Sequence, residues 1–186
     1  YDLGQTLKQQ GAKVNRINFC AGDWLYWRGE DVIHYRGKSE GWADFLEQIM
    51  RLLNVTHIIY FADRLPYHVV AQKVARKLGV QSVAYEFGYL RPDWIVAERG
   101  GQSIYSHFPD DMELVRKLAL QLPEPDMTQR YGFSFSVEAF NEVLFNLVNY
   151  FFWFAYPNYH VNRMYNPLIE YLGYIPRLIR GRFRKD

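Results

Sequence analysis

Two short apolar runs with one helix-length of chain between them constrain this sequence more than any other feature. His57-Ile58-Ile59-Tyr60-Phe61-Ala62 and Gln81-Ser82-Val83-Ala84-Tyr85 are bounded as strands are, and each reads as a strand. Between them Val69, Val70, Val74 and Leu78 recur at helical spacing, and Gly79 can take the left-handed conformation that ends a helix. The alternation extends upstream. Trp42, Phe45, Leu46, Ile49, Leu52 and Leu53 mark a helix within residues 40–53, and Val14, Ile17 and Phe19 mark a strand before Gly22-Asp23. Strands joined through helices run parallel, because a parallel pair needs a long crossover, and that crossover is right-handed. The expected fold is α/β: a doubly wound parallel sheet with helices covering its faces.

The character changes after Pro109. Residues 111–122 read as a helix, Pro123-Glu124-Pro125 as a rigid linker, and residues 133–156 as an aromatic-rich segment. A last helix is expected over residues 167–180, kinked or broken at Pro176. The expected organisation is a sheet domain over residues 1–122, lacking its first strand, and a helical part over residues 123–186. The chain opens inside a helical pattern that Gly11 ends, as a truncated start would. In the aromatic segment Glu138, Asn141, Glu142, Asn146 and Asn149 interrupt the apolar run, which falls short of the roughly 20 residues of a membrane span. It suits a helix buried between domains or one lying in a membrane interface. Arg177, Arg180, Arg182, Arg184 and Lys185, interleaved with Leu178, Ile179 and Phe183, suit an anionic lipid surface or a solvated terminal helix.

The 186 residues carry a net charge of +2 and a single cysteine, Cys20. That composition favours a reducing, cytoplasmic setting and offers no Cys/His cluster at metal-ligand spacing. Nucleic acid is not an expected partner, since no recognition motif accompanies the basic tail.

Open parallel sheets bind ligands outside the carboxyl ends of their strands. The three expected strands end at Asp23, Asp63 and Glu86, placing three carboxylates near one rim as candidate general bases, nucleophiles or hydroxyl-binding groups. The same acids also suit helix capping. The densest segment is Glu86-Phe87-Gly88-Tyr89-Leu90-Arg91-Pro92-Asp93-Trp94-Ile95, followed by Glu98-Arg99-Gly100-Gly101. Gly88 there permits positive φ, and Arg91 beside Asp93 sets a planar donor fork next to an acceptor, suited to binding an anion or to closing the loop.

At these residues the chain resembles the bacterial capsule polysaccharide biosynthesis and export family of β-Kdo glycosyltransferases. The resemblance also takes in Asn18-Phe19 with Gly22-Asp23, the region of Trp42, Asp63 with Pro66 and His68, and Tyr156-Pro157-Asn158-Tyr159-His160 through Pro167-Leu168. It implies the acceptor-side, Rossmann-like half of a two-domain GT-B enzyme at the inner membrane. Such an enzyme transfers Kdo, with retention, from CMP-Kdo to a phosphatidylglycerol-type lipid-linked acceptor. Asp63 and Glu86 are implied as the acids nearest the reaction, and Asp23, Arg64, His68, Tyr89, Arg91, Asp93 and Glu98 as substrate-binding groups. No cofactor beyond the nucleotide sugar and no metal are implied. The implied partners are the lipid-linked acceptor, the inner-membrane surface and the capsule export complex. The chain departs from the family pattern where Arg64 is displaced, where Phe87 replaces a second acid, and in lacking the His-Pro pair of a donor half. The departures at Arg64 and Phe87 suit the alternative of a non-catalytic sugar-binding or scaffold subunit, the missing His-Pro pair implies an acceptor-side fragment, and His68 equally suits a structural hydrogen bond.

Overall fold

Pro66 and Gly79 bracket the helix between the two apolar runs. Pro66 opens the first turn, where its missing N–H leaves no bond unmade, and Gly79 sits at φ +69° just past the last turn. The computed structural model describes residues 2–88, 93–130, 132, 134–159 and 166–183. Its elements are α1 (Asp2–Gln9), β1 (Arg16–Asn18), α2 (Ala21–Tyr26), β2 (Val32–His34), α3 (Trp42–Leu52), β3 (His57–Phe61), α4 (Pro66–Leu78), β4 (Gln81–Phe87), β5 (Ile95–Arg99), α5 (Met112–Ala119), α6 (Phe135–Phe151) and α7 (Pro167–Phe183). They form two compact units, one of residues 1–39 with 134–186 and one of residues 40–133. This partition differs from a boundary at 122/123, because α6 packs on α2 from more than a hundred residues away.

In the unit of residues 40–133, β3 and β4 pair in parallel from His57 opposite Gln81 to Phe61 opposite Tyr85, with α4 as the crossover. β5 joins the other edge of β4 antiparallel, from Val83 opposite Arg99 to Phe87 opposite Ile95. No periodicity in the sequence marks residues 95–99 as a strand. Only residues 88–94 separate β4 from β5, too few for the dozen or more of a parallel crossover, so the return is a hairpin. Tyr60, Ser82 and Ala84 alternate onto one buried face beneath α4, whose Ala71, Val74 and Ala75 meet them. Trp42, Leu46 and Met50 of α3, one turn apart, are also buried, and the Trp42 Nε1–H donates to the Tyr67 carbonyl at 2.9 Å. The opposite sheet face leaves Ile59, Phe61, Phe87 and Ile95 exposed. The sheet is therefore mixed and covered on one side, rather than parallel and doubly wound.

In the other unit, β1 pairs with β2, not with β3. Residues 19–31, including α2, are long enough to make the parallel β1–α2–β2 crossover complete in itself. Asn18 is fully buried and donates to the Trp27 carbonyl at 3.2 Å. Gly22 lets α6 approach: a Cβ there would lie 2.4 Å from the Phe145 ring, and the Gly22 N–H donates to Asn149 Oδ1 at 2.7 Å. α7 runs through Pro176 without ending there. Among the described residues no helix is long and apolar enough to cross a membrane.

Candidate functional site at the carboxyl end of the three-stranded sheet

The chain leaves β3 through Ala62 at φ +55°, a left-handed conformation that costs a residue with a Cβ about 1–2 kcal/mol. That turn delivers Asp63 to the interior, 4% exposed, where its Oδ2 accepts the Gln102 N–H at 2.8 Å. The glycine pair before Gln102 makes the contact possible. Gly101 sits at φ +139°, and a Cβ there would lie 3.1 Å from Asp63 Oδ2 and 2.9 Å from Tyr105 Cβ. Gln72 of α4 donates to the Gly100 carbonyl, tying the same turn to the helix. Asp63 therefore organises the rim, its carboxylate engaged with backbone.

Glu86 lies at the same end of the sheet, one residue before β4 ends, on the face shared with Ser82 and Ala84, and its side chain is exposed. Gln102 links the Asp63 turn to β5. Its Nε2 donates to the carbonyl of Val96 at 3.1 Å, and Val96 is the register partner of Glu86. The resulting rim holds one buried, backbone-bound carboxylate and one open to solvent.

The remaining predicted residues divide. His68 Nδ1 lies 2.9 Å from the Ala62 carbonyl, so the Nδ1–H donates to it, and the ring stacks on Tyr60 at 5.1 Å. The structural hydrogen bond foreseen for His68 is thus present. The Arg64 guanidinium lies over the Tyr105 ring at 5.2 Å, leaving a cation at the rim. Glu98 accepts the Ser106 hydroxyl at 2.5 Å. Asp93 accepts the Arg130 N–H at 3.0 Å. Tyr89 and Arg91, with Leu90 and Pro92, lie outside the described residues. Gly88 is needed for space rather than for positive φ, since a Cβ would lie 2.8 Å from the Trp94 carbonyl oxygen that accepts the Gly88 N–H. Asp23 belongs to the other unit and a separate sheet. It accepts the Phe19 N–H at 2.8 Å and pairs with Arg16 at 3.3 Å, a local role at the start of α2.

Sequence reasoning missed Gln102 and Tyr60. The Tyr60 hydroxyl and Gln102 Oε1 are buried without a hydrogen-bond partner among the described residues. Burial pushes the Tyr60 phenol up, and the Asp63 charge adds to it. The Ser82 hydroxyl lies near enough to ease the shift without completing a hydrogen bond. The signal for Gln102 was the glycine pair, which marks a tight turn but not what the next residue binds. A surface depression of about 310 Å³ lined by Met50, Asn54, Val55 and Val80 lies at the opposite end of β3 and β4, away from this rim.

The capsule polysaccharide export protein KpsS of Escherichia coli is 27% identical over 175 residues, 91% of this chain and 43% of that protein. The capsule polysaccharide modification protein LipB of Neisseria meningitidis serogroup A is 28% identical over 109 residues, 58% of this chain and 26% of that protein. The chain spans less than half the length of these curated relatives. No solved structure matches it. Residues 56–186, which include β3, the Asp63 turn, β4 and β5, match the model of the family described as capsule polysaccharide biosynthesis protein, and the chain belongs to that family.

Proposed function

We propose that the full-length protein is a capsule-polysaccharide glycosyltransferase that moves Kdo from CMP-Kdo to a phosphatidylglycerol-type lipid-linked acceptor at the inner-membrane surface. In this reading the sheet unit, as part of a Rossmann-like GT-B half, holds the acceptor. The observation that carries it is that exposed Glu86 and buried Asp63 stand at the same end of one sheet, with Gln102 tying the Asp63 turn to the carbonyl of Val96, the register partner of Glu86. An acceptor hydroxyl oxygen bonds to the anomeric carbon of Kdo on the face from which CMP departs, as retention requires. The bond from that carbon to the CMP phosphate oxygen breaks, and its electron pair leaves on CMP. Glu86 takes the hydroxyl proton. Asp63 acts as a positioning residue, and Arg64, already poised over Tyr105, offers a cation to an anionic sugar.

The test is turnover by the full-length protein with CMP-Kdo and a synthetic lipid acceptor. Glu86→Gln should lower it roughly 10²- to 10⁴-fold, the usual contribution of a general base. Undiminished turnover in Glu86→Gln removes this assignment. A second reading, a sugar-binding scaffold of the export machinery, draws on Phe87, an exposed aromatic where the resemblance implies a second acid. No turnover in the wild-type protein, with retained glycan binding, would favour it.

A further inference from the structure

The parallel pair β1–β2 has a carboxyl end of its own, the end at which open parallel sheets take ligands, and polar side chains gather there. Asn18 and His34 close the two strands and stand opposite each other in register. The Tyr35 N–H donates to the Asn18 carbonyl at 2.9 Å, so the chain leaves β2 still tied to β1, with Tyr35 buried and His34 and Arg36 exposed on either side of it. Tyr156, 5% exposed, meets both of them. Its hydroxyl lies 2.5 Å from His34 Nδ1, and the Arg36 guanidinium lies over its ring at 5.5 Å. Asn158 Nδ2 donates to the Arg36 carbonyl at 2.8 Å, fixing the backbone from which that guanidinium extends. All of these residues belong to the unit of residues 1–39 and 134–186.

Protonation leaves two donors at this end. Burial pushes the Tyr156 phenol up, so it keeps its proton, and among the described residues His34 Nδ1 is the acceptor for it. Burial, with the Arg36 charge, holds His34 below its ordinary value, so at neutral pH the ring is neutral and carries its own proton on Nε2. Arg36 meets a ring face and, among the described residues, no carboxylate. The Asp23 charge, which reaches Tyr156, is already engaged by Arg16 at 3.3 Å and by the Phe19 N–H at 2.8 Å. A planar guanidinium beside a neutral ring N–H is a donor set for an oxyanion. At the same end the half-buried rings of Phe19 and Tyr159 stand 6.5 Å apart, an apolar surface suited to the C–H face of a sugar ring. We propose that the carboxyl end of β1–β2 binds a sugar bearing an oxyanion, either the carboxylate of a sugar acid or a sugar phosphate. Arg36 and His34 Nε2 hold the oxyanion, and Tyr156 and Asn158 position them. The proposal concerns binding alone and does not rest on the transfer reading.

The test is NMR of the full-length protein with isotope-labelled histidine, the His34 signal being assigned by its loss in His34→Gln. Free Kdo, glucose-1-phosphate and neutral glucose are titrated in turn. Kdo or glucose-1-phosphate should move the His34 signal, the tighter of the two identifying the source of the oxyanion, and glucose should not. Arg36→Gln changes an exposed side chain and should melt as wild type does, yet it should weaken the anion at least about tenfold, the usual contribution of a charge-assisted hydrogen bond. The His34 ring of the free protein should show its proton on Nε2. A His34 signal unmoved by either anion at about 10 mM overturns the proposal, as does an equal response to glucose. Undiminished binding in Arg36→Gln, or a free-protein His34 proton on Nδ1, also overturns it. Protein that binds the anion and transfers nothing leaves this site standing while the proposed function falls, and protein that transfers Kdo with a silent His34 signal does the reverse.

Discussion

Asp63 is where stability and chemistry can be separated. Alanine at this position leaves the Gln102 N–H, now paired with a carboxylate at 2.8 Å in a buried turn, without an acceptor. A buried donor left unmade costs about 1–3 kcal/mol, and a bond to a charged acceptor stands at the upper end of that range, so Asp63→Ala should lose about 2–3 kcal/mol. Asparagine keeps a side-chain carbonyl in place, and Asp63→Asn should lose less than about 1 kcal/mol. For a unit the size of residues 40–133, each kcal/mol shifts the melting temperature by about 4–8 °C. Asp63→Ala should therefore melt about 8–24 °C below wild type and Asp63→Asn within about 8 °C of it. Fluorescence of Trp42 and Trp94, both in this unit, can follow the transition. An Asp63→Ala protein as stable as wild type, or an Asp63→Asn protein as damaged as Asp63→Ala, would refute the turn-organising role. Once Asp63→Asn is shown to be folded, any loss of transfer in it reports on the carboxylate's charge rather than on the fold.

Three further outcomes follow from the other unit. Gly22→Ala should destabilise by about 1–3 kcal/mol, because its methyl group would meet the Phe145 ring at 2.4 Å; a melt unchanged from wild type would disprove the close approach of α2 and α6. Burial, reinforced by the Asp23 charge, pushes the Cys20 thiol up to about 12, so a thiol reagent at pH 8 should label it only in denaturant, and rapid labelling of native protein would contradict this. Burial first, and then the Arg36 charge, holds His34 below its ordinary value of 6.5, while its Nδ1 lies 2.5 Å from the Tyr156 hydroxyl. A depressed folded-state value means the unfolded chain takes up the proton first. This contribution is complete above about pH 6.5 and is lost as pH falls through the folded value, which a His34 NMR titration midpoint at or above 6.5 would exclude.

Much of the sheet unit was legible because local signals and tertiary role agree there. The valine spacing in α4, its Pro66 and Gly79 ends and the alternation in β4 mark their elements without reference to any other part of the chain. Asp111 likewise caps α5 where the sequence change after Pro109 put a helix. β5 escaped because Ile95-Val96-Ala97-Glu98-Arg99 is mixed in character, and only its short tether to β4 makes it a strand. Glu86 was found by its place at a strand end. Gln102 was not, because a glutamine acquires its role only when Asp63, 39 positions earlier, is folded against it.

By itself the sequence determined the α/β alternation, the membership in a capsule polysaccharide family, and the strand-end places of Asp63 and Glu86, though not that of Asp23, which lies within α2, since periodicity, turn residues and motif are written in neighbouring positions. Only the tertiary structure decided that β1 pairs with β2, that one sheet face stays open, that Asp23 belongs to a separate unit, and that Asp63 is buried while Glu86 is exposed. The physical reason is one of range. An apolar period shows which side of an element seeks cover, whereas the partner that supplies the cover, and so the state of each carboxylate, is chosen by contacts between segments far apart in the chain.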